Sequence, residues 1–338
     1  MRNSFTRRRA LALTGIAATA ALALAGCASG DTATGGGDEA AKSVTIGISQ
    51  FVQHPALDAA TEGFKQAFID AGYVEGETVT FDEQNAQADV ANATTIAQKF
   101  AADGVDLVLA VATPSAQAAA QNITDIPVLF TAVTDAVEAG LVDSNEAPGS
   151  NVTGTSDLNP VADQMALIQE IAPDAKKVGI VYSSGEVNSE IQVALAKDAA
   201  KDLGLEIVEK TVSNASEIKQ ATEALGDVDA IYVPTDNVVV SAISTVVQVA
   251  EAAQIPVIGA EAGTVEGGAI ATLGIDYTKL GHQTGEMAIK ILQDGADPAT
   301  MPVETSNQLE LVINPAAAAR MGVELPAAIV DRADRVIE

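Results

Sequence analysis

Several residue types and motifs are scarce in this 338-residue chain, and each scarcity closes a class of function. The single cysteine is Cys27, near the amino terminus, so no disulfide can form within the rest of the chain and no thiol there can act as a nucleophile. The two histidines, His54 and His282, lie far apart and show no metal-ligand spacing. Basic residues number 18 against 46 acidic ones, giving a formal charge of −28. Such a surface argues against nucleic acid and against electrostatic adhesion to anionic lipid. There is no Walker loop, no G-x-G-x-x-G turn after a strand and no G-x-S-x-G elbow. No cofactor and no metal is therefore expected. An enzyme finds little support, although nothing selects for or against a general-acid pair among the acids described below.

What the chain does contain is organised around LVLAVATPSAQAAAQ at 107–121. Residues 107–111 are a short apolar run, as expected for a parallel strand buried on both faces. Thr113 and Pro114 then suit the N-cap and first position of a helix. A helix opening at the carboxyl edge of a sheet presents free N–H groups where α/β proteins bind ligands, and it suits a carboxylate. An ordinary capped helix has the same spacing.

Arg2, Arg7, Arg8 and Arg9 precede an apolar stretch at 10–25 that closes on LAGC at 24–27. A basic head, a short apolar segment and a small-residue cleavage site make a secretory signal rather than a membrane span. LAGC resembles the bacterial lipobox, which implies cleavage before Cys27 and lipidation of its thiol. Residues 27–42 then read as a flexible, Gly-rich tether with a span of roughly 20 Å. No 18-residue apolar run follows the signal.

From Val44 onward short β-branched runs alternate with helical stretches. Strands are expected at 44–48, 79–81, 107–111, 126–130, 177–182, 205–212, 229–233, 256–258, 269–275 and 309–313. Helices are expected between them, among them 161–171, 188–203, 238–253 and 280–293. This βαβ rhythm, broken near 149–154 and then resumed, predicts an α/β fold of two doubly wound parallel-sheet lobes.

In such a fold the carboxyl strand ends converge on one crevice. In the first half they supply Ser49, Gln50, Phe51, Thr113, Ser115, Ala116, Thr131 and Asp135. In the second half they supply Ser184, Glu186, Asn188, Ser189, Asp236 and Glu261. The first set is dominated by uncharged donors and the second adds acids, a division that suits a zwitterion held between two lobes. Phe51 lies past its strand beside a polar pair and is the best candidate to stack on a ligand, whereas Phe130 and Tyr182 read as core. His54 is placed either at the crevice or as a surface cap.

At these residues the chain resembles the tryptophan/tyrosine-type ABC transporter substrate-binding lipoproteins, which have the type I periplasmic binding protein fold. The matching stretches are HPALDA (54–59), ATPSAQ (112–117), FTAVTD (130–135), NVTG (151–154), SGEVNS (184–189), VPTDN (233–237) and DY (276–277), and they span 44–325 in order. Ala136 departs from the pattern, where relatives often have proline. The resemblance implies two lobes joined by three crossings near 153–158, 259–262 and 297–301. The first lobe would comprise 43–155 and 263–299, and the second 156–262 and 300–338. It also implies a monomeric, lipid-anchored receptor that serves an ABC permease and its ATPase subunit. Thr113, Ser115 and the N–H of Ala116 would hold an amino acid's carboxylate, helped by Ser184 or Asn188. Asp236, with Glu186 or Glu261, would pair with the ammonium. A receptor for a sugar, nucleoside or aromatic acid, and a lyase or racemase on the same scaffold, stay open at this point.

Overall fold

The computed structural model describes residues 43–306 and 308–337. The expected signal, the tether and Cys27 lie outside the described residues. In chain order the first half gives β1 (Val44–Gln50), α1 (Pro55–Asp70), β2 (Val79–Asn85), α2 (Val90–Asp103), β3 (Leu107–Val111), α3 (Thr113–Asn122), β4 (Val128–Val133) and β5 (Val152–Ser156). The next stretch gives α4 (Val161–Ile171), β6 (Lys177–Ser183), α5 (Val187–Leu203), β7 (Glu206–Val212), α6 (Ile218–Glu223), β8 (Ala230–Val233) and α7 (Asn237–Ser241). It continues with α8 (Ile243–Ala253), β9 (Val257–Gly259), α9 (Ala262–Glu266) and β10 (Ala271–Ile275). Last come α10 (Tyr277–Asp294), β11 (Glu304–Thr305), β12 (Leu309–Ile313), α11 (Pro315–Arg320), α12 (Ala327–Asp331) and β13 (Arg335–Val336).

Two sheets result, one per lobe. The first has the order β11-β5-β4-β3-β1-β2 and the second β13-β12-β10-β9-β8-β6-β7. The pairs are parallel except that of β10 with β12, which is antiparallel. Every residue of β3 and β4 is buried, which accounts for the apolar run of β3 and for Thr131 being the one polar residue of β4. Helices end where the sequence allows a left-handed residue, as at Gly104 after α2 (φ 64°) and Gly204 after α5 (φ 69°). Each sheet carries its own apolar core.

The lobes divide differently from the expected boundaries. Residues 271–275 fall within the expected first lobe, but β10 pairs with β9 and β12 in the second sheet. The second crossing therefore follows Ile275 and is not at 259–262. The turn at 259–262 instead opens α9, too short to leave a helical period in the sequence. The third crossing lies beyond β11, because Glu304 and Thr305 still pair with β5 of the first sheet. The first crossing follows β5, at 157–160.

After the second crossing α10 returns to the first lobe and lies against α1. Two glycines set how closely they approach. A methyl group placed on Gly281 would fall 1.9 Å from the carbonyl oxygen of Ala60, and one on Gly63 would fall 2.0 Å from that of Thr278. Gly281→Ala is expected to push the helices apart and cost about 1–3 kcal/mol of stability, read by urea unfolding.

Candidate functional site

Strand order reverses once in each sheet, between β1 and β3 in the first and between β6 and β8 in the second. Ligands of open α/β sheets lie at such points, beyond the carboxyl strand ends.

In the first lobe the reversal brings the ends of β1 and β3 side by side. Ala112 links β3 to α3 with φ 80° and ψ 153°, a region that alanine rarely adopts. This strained residue is the N-cap, so Thr113 is the first helical residue and not the cap expected. The turn aims the start of α3 at the strand edge. The Thr113 hydroxyl is buried there and has no hydrogen-bond partner. Ser115 is fully buried, its hydroxyl 3.5 Å from that of Ser49. The N–H of Ala116 is not free for a ligand, because it donates to the carbonyl of Ala112 at 3.0 Å.

In the second lobe two carboxylates sit at the reversal, both buried and both occupied. Asp236 caps α7, accepting from the N–H of Val239, and also accepts from the Ser183 N–H and the Ser189 hydroxyl. Glu186 accepts from the N–H groups of Asn237 and Val238 and from the side-chain amides of Asn237 and Asn188. Burial, with the Asp236 charge adding to it, pushes Glu186 up to about 8. Asp236 is also raised by burial, against the pull of its hydrogen bonds. The expected pairing of Asp236 with an ammonium thus meets a carboxylate whose oxygens serve its own lobe.

Glu261 is different. It precedes α9 without capping it, is 0 % exposed, and neither carboxyl oxygen has a partner. Burial pushes it up to about 8, with the charge of Asp157 adding to the effect and the nearby Tyr277 hydroxyl, which donates to Asp157, opposing it. His54, at the N-cap of α1 in the other lobe, brings Nδ1 to 3.7 Å from Glu261 Oε1. Burial lowers His54 to about 4, so at neutral pH the contact joins two neutral groups rather than an ion pair. The side-chain nitrogen of Asn237 donates to Glu186, so its oxygen faces His54 Nε2, 3.4 Å away, as acceptor. His54 Nδ1 is then a bare lone pair. Asp157, at the first crossing, accepts from the Tyr277 hydroxyl at 2.8 Å, which uses that proton, and burial raises it to about 6.

Other expected site residues are placed elsewhere. Ser184 is exposed. Asp135 accepts from the N–H groups of Val137 and Glu138 and shapes a turn. The Gln50 amide is consumed within the first lobe by Val52, Asp58 and Thr61. Thr131 accepts from the Thr155 hydroxyl, and Phe51 is buried in the first core. Asn188 keeps one free buried oxygen, and Ser189 serves Asp236. Residues outside the expected set bridge the lobes. Besides His54 and Asn237 they include Gln192, which reaches Thr134 at 3.4 Å, and the Asp157–Tyr277 pair. Asp157 follows β5, whose sequence VTGTS lacks a strand pattern, so it carries no strand-end signal in the sequence.

Two parallel-sheet α/β lobes, three crossings and a buried polar seam between them define the type I periplasmic binding protein fold. Residues 45–337 match the family described as ABC transporter substrate binding protein, and the chain belongs to that family. It is 46 % identical over 296 residues to a protein named tyrosine-binding protein from Clostridioides difficile (strain R20291), covering 86 % of each chain. A structure from Streptococcus pneumonia, described as an ABC domain in complex with L-Trp, is 36 % identical with a TM-score of 0.84; the match covers 88 % of this chain and 100 % of that one. A ligand-free, open substrate-binding protein with adhesive properties from Clostridium difficile is 44 % identical, with a TM-score of 0.66 and coverage of 87 % and 99 %. The family and these relatives are substrate-binding proteins, so the chain is a binding protein of an ABC transporter and not an enzyme.

Proposed function

We propose that the chain is an extracytoplasmic, lipid-anchored receptor of an ABC importer that closes its two lobes on an aromatic amino acid, tyrosine or tryptophan. The observation that carries the reading is Glu261, a fully buried carboxyl with two unpartnered oxygens and, among the described residues, no lysine or arginine paired with it. A buried charge requires a partner, and an α-ammonium supplies one. At the first lobe's switch point, the unpartnered Thr113 hydroxyl and the start of α3 offer donors for the α-carboxylate. Asn188, with its free oxygen, is a further contact for the ammonium. Asp236 and Glu186 organise the second lobe's own donors and do not touch the solute.

Closure is supported by the bridges from His54 and Gln192 and by the greater likeness to the L-Trp complex than to the open, ligand-free relative, which is closer in sequence. The solute favours the closed form because only there do both lobes touch it. The side-chain preference follows the names of the relatives. Lipidation at Cys27 follows the lipobox resemblance, and a permease with its ATPase subunit would be the partner.

Calorimetry with L-tyrosine, L-tryptophan and their 2-hydroxy and 2-keto analogues tests the reading. The two amino acids are expected to bind, and analogues without the ammonium to bind at least a hundredfold more weakly. Equal affinity for the hydroxy acids would remove Glu261 as ammonium acceptor, and binding of sugars or nucleosides instead would replace the solute class.

A further inference from the structure

His54 and Glu261 come from opposite lobes and meet in the interior, with Nδ1 and Oε1 3.7 Å apart and neither atom otherwise partnered. The groups that bear on Glu261 are all acids or neutral: Asp157 at the first crossing, Tyr277 at the start of α10 and Asp236 at the cap of α7. His54 feels Asp58 on its own helix and is held by Asn237 from the second lobe. Among the described residues none of these groups pairs with a lysine or arginine. An ionised Glu261 enclosed here would face Asp157 and Asp236 with no counter-charge, which forbids closure of the empty protein with Glu261 charged.

We propose that His54 and Glu261 form a proton-holding pair across the cleft, and that a proton held there takes the place of the solute's ammonium and lets the lobes close empty. The inference rests on two-lobe closure, and only its comparison with the solute's ammonium rests on Glu261 as ammonium acceptor. In the closed form the pair holds one proton, on Glu261, up to about pH 8. With the lobes apart both groups meet water and return toward their ordinary values, 4.5 for the glutamate and 6.5 for the histidine. The open pair then carries no proton above pH 6.5 and one, on His54, below it. Closing therefore takes up a proton between about pH 6.5 and 8, so acidification across that window favours the empty closed form and has little further effect just below it. By linkage the closed-to-open ratio rises roughly twentyfold between pH 8.5 and 6. Asp157 adds uptake only near and below about pH 6. Glu186 and Asp236, also raised by burial, draw their hydrogen-bond donors from the second lobe alone.

The experiment is small-angle scattering on protein stripped of solute by unfolding and refolding, from pH 8.5 to 6, with circular dichroism to confirm folding. The radius of gyration is expected to fall with pH toward that of the L-tyrosine complex. Glu261→Gln, whose amide imitates the protonated acid, should be contracted at every pH. In His54→Asn contraction should continue below pH 6.5, because the open form no longer holds a competing proton. A wild-type radius that ignores pH, or a Glu261→Gln protein as extended as wild type at pH 8.5, overturns the proposal. Calorimetry on the same samples separates it from the solute reading. Binding of L-tyrosine with a pH-independent radius removes the proton pair alone, and contraction without amino-acid binding supports the pair and removes the solute class.

Discussion

Glu261→Gln is expected to weaken binding of L-tyrosine or L-tryptophan by about 2–5 kcal/mol, roughly thirtyfold to several thousandfold in Kd. The substitution is isosteric, so no cavity forms and the loss reads the charge alone. In wild type the ammonium leaves water for a site where a carboxylate with two unpartnered oxygens receives it. In the variant the same ammonium is enclosed beside a neutral amide. The ligand-free protein should melt no lower than wild type, because the carboxyl that burial raises to about 8 has been removed. Calorimetry at pH 8 and a thermal melt check both halves. Unchanged affinity would move the ammonium elsewhere, with Asp157 the next buried acid to test.

Much of the fold was legible because the strands of a parallel sheet are buried on both faces. Residues 107–111 and 161–171 form the strand and helix that their periodicity predicts. The misses have physical reasons. The sequence VTGTS at 152–156 does not read as a strand, yet β5 needs its glycine, because a methyl group on Gly154 would fall 2.0 Å from the Phe130 carbonyl oxygen. The single helix expected at 238–253 breaks at Ala242, where φ −124° lies outside the helical range. The site was legible as a set of polar strand ends but not in its roles. Asp236, Glu186 and Glu261 look alike in sequence, each an acid just past a strand or turn. Whether such an acid turns back onto its own helix start or stays free depends on backbone angles and on neighbours from other strands. Asp236 and Glu186 found donors on α7 and the β6 turn, and Glu261 found none.

That difference gives the second large effect, which falls on folding rather than on affinity. Asp236→Ala removes an acceptor that three buried donors share, from Ser183, Ser189 and Val239. Each buried donor left unmade costs about 1–3 kcal/mol, so the second lobe should lose on the order of 3–5 kcal/mol, visible in urea unfolding. The folded fraction should still bind L-tyrosine far better than Glu261→Gln does. The pH dependence of stability should change as well. Glu186 is raised above its unfolded value of 4.5 to about 8, so the folded state holds an extra proton between those limits. Stability from this group therefore falls as pH rises from about 4.5 to 8 and is level beyond. Without the Asp236 charge Glu186 ionises more readily in the folded state, and the alkaline loss should shrink. An Asp236→Ala protein as stable as wild type, with the same pH slope, would mean that Asp236 does not hold this lobe together, and the ammonium role first expected of it would return.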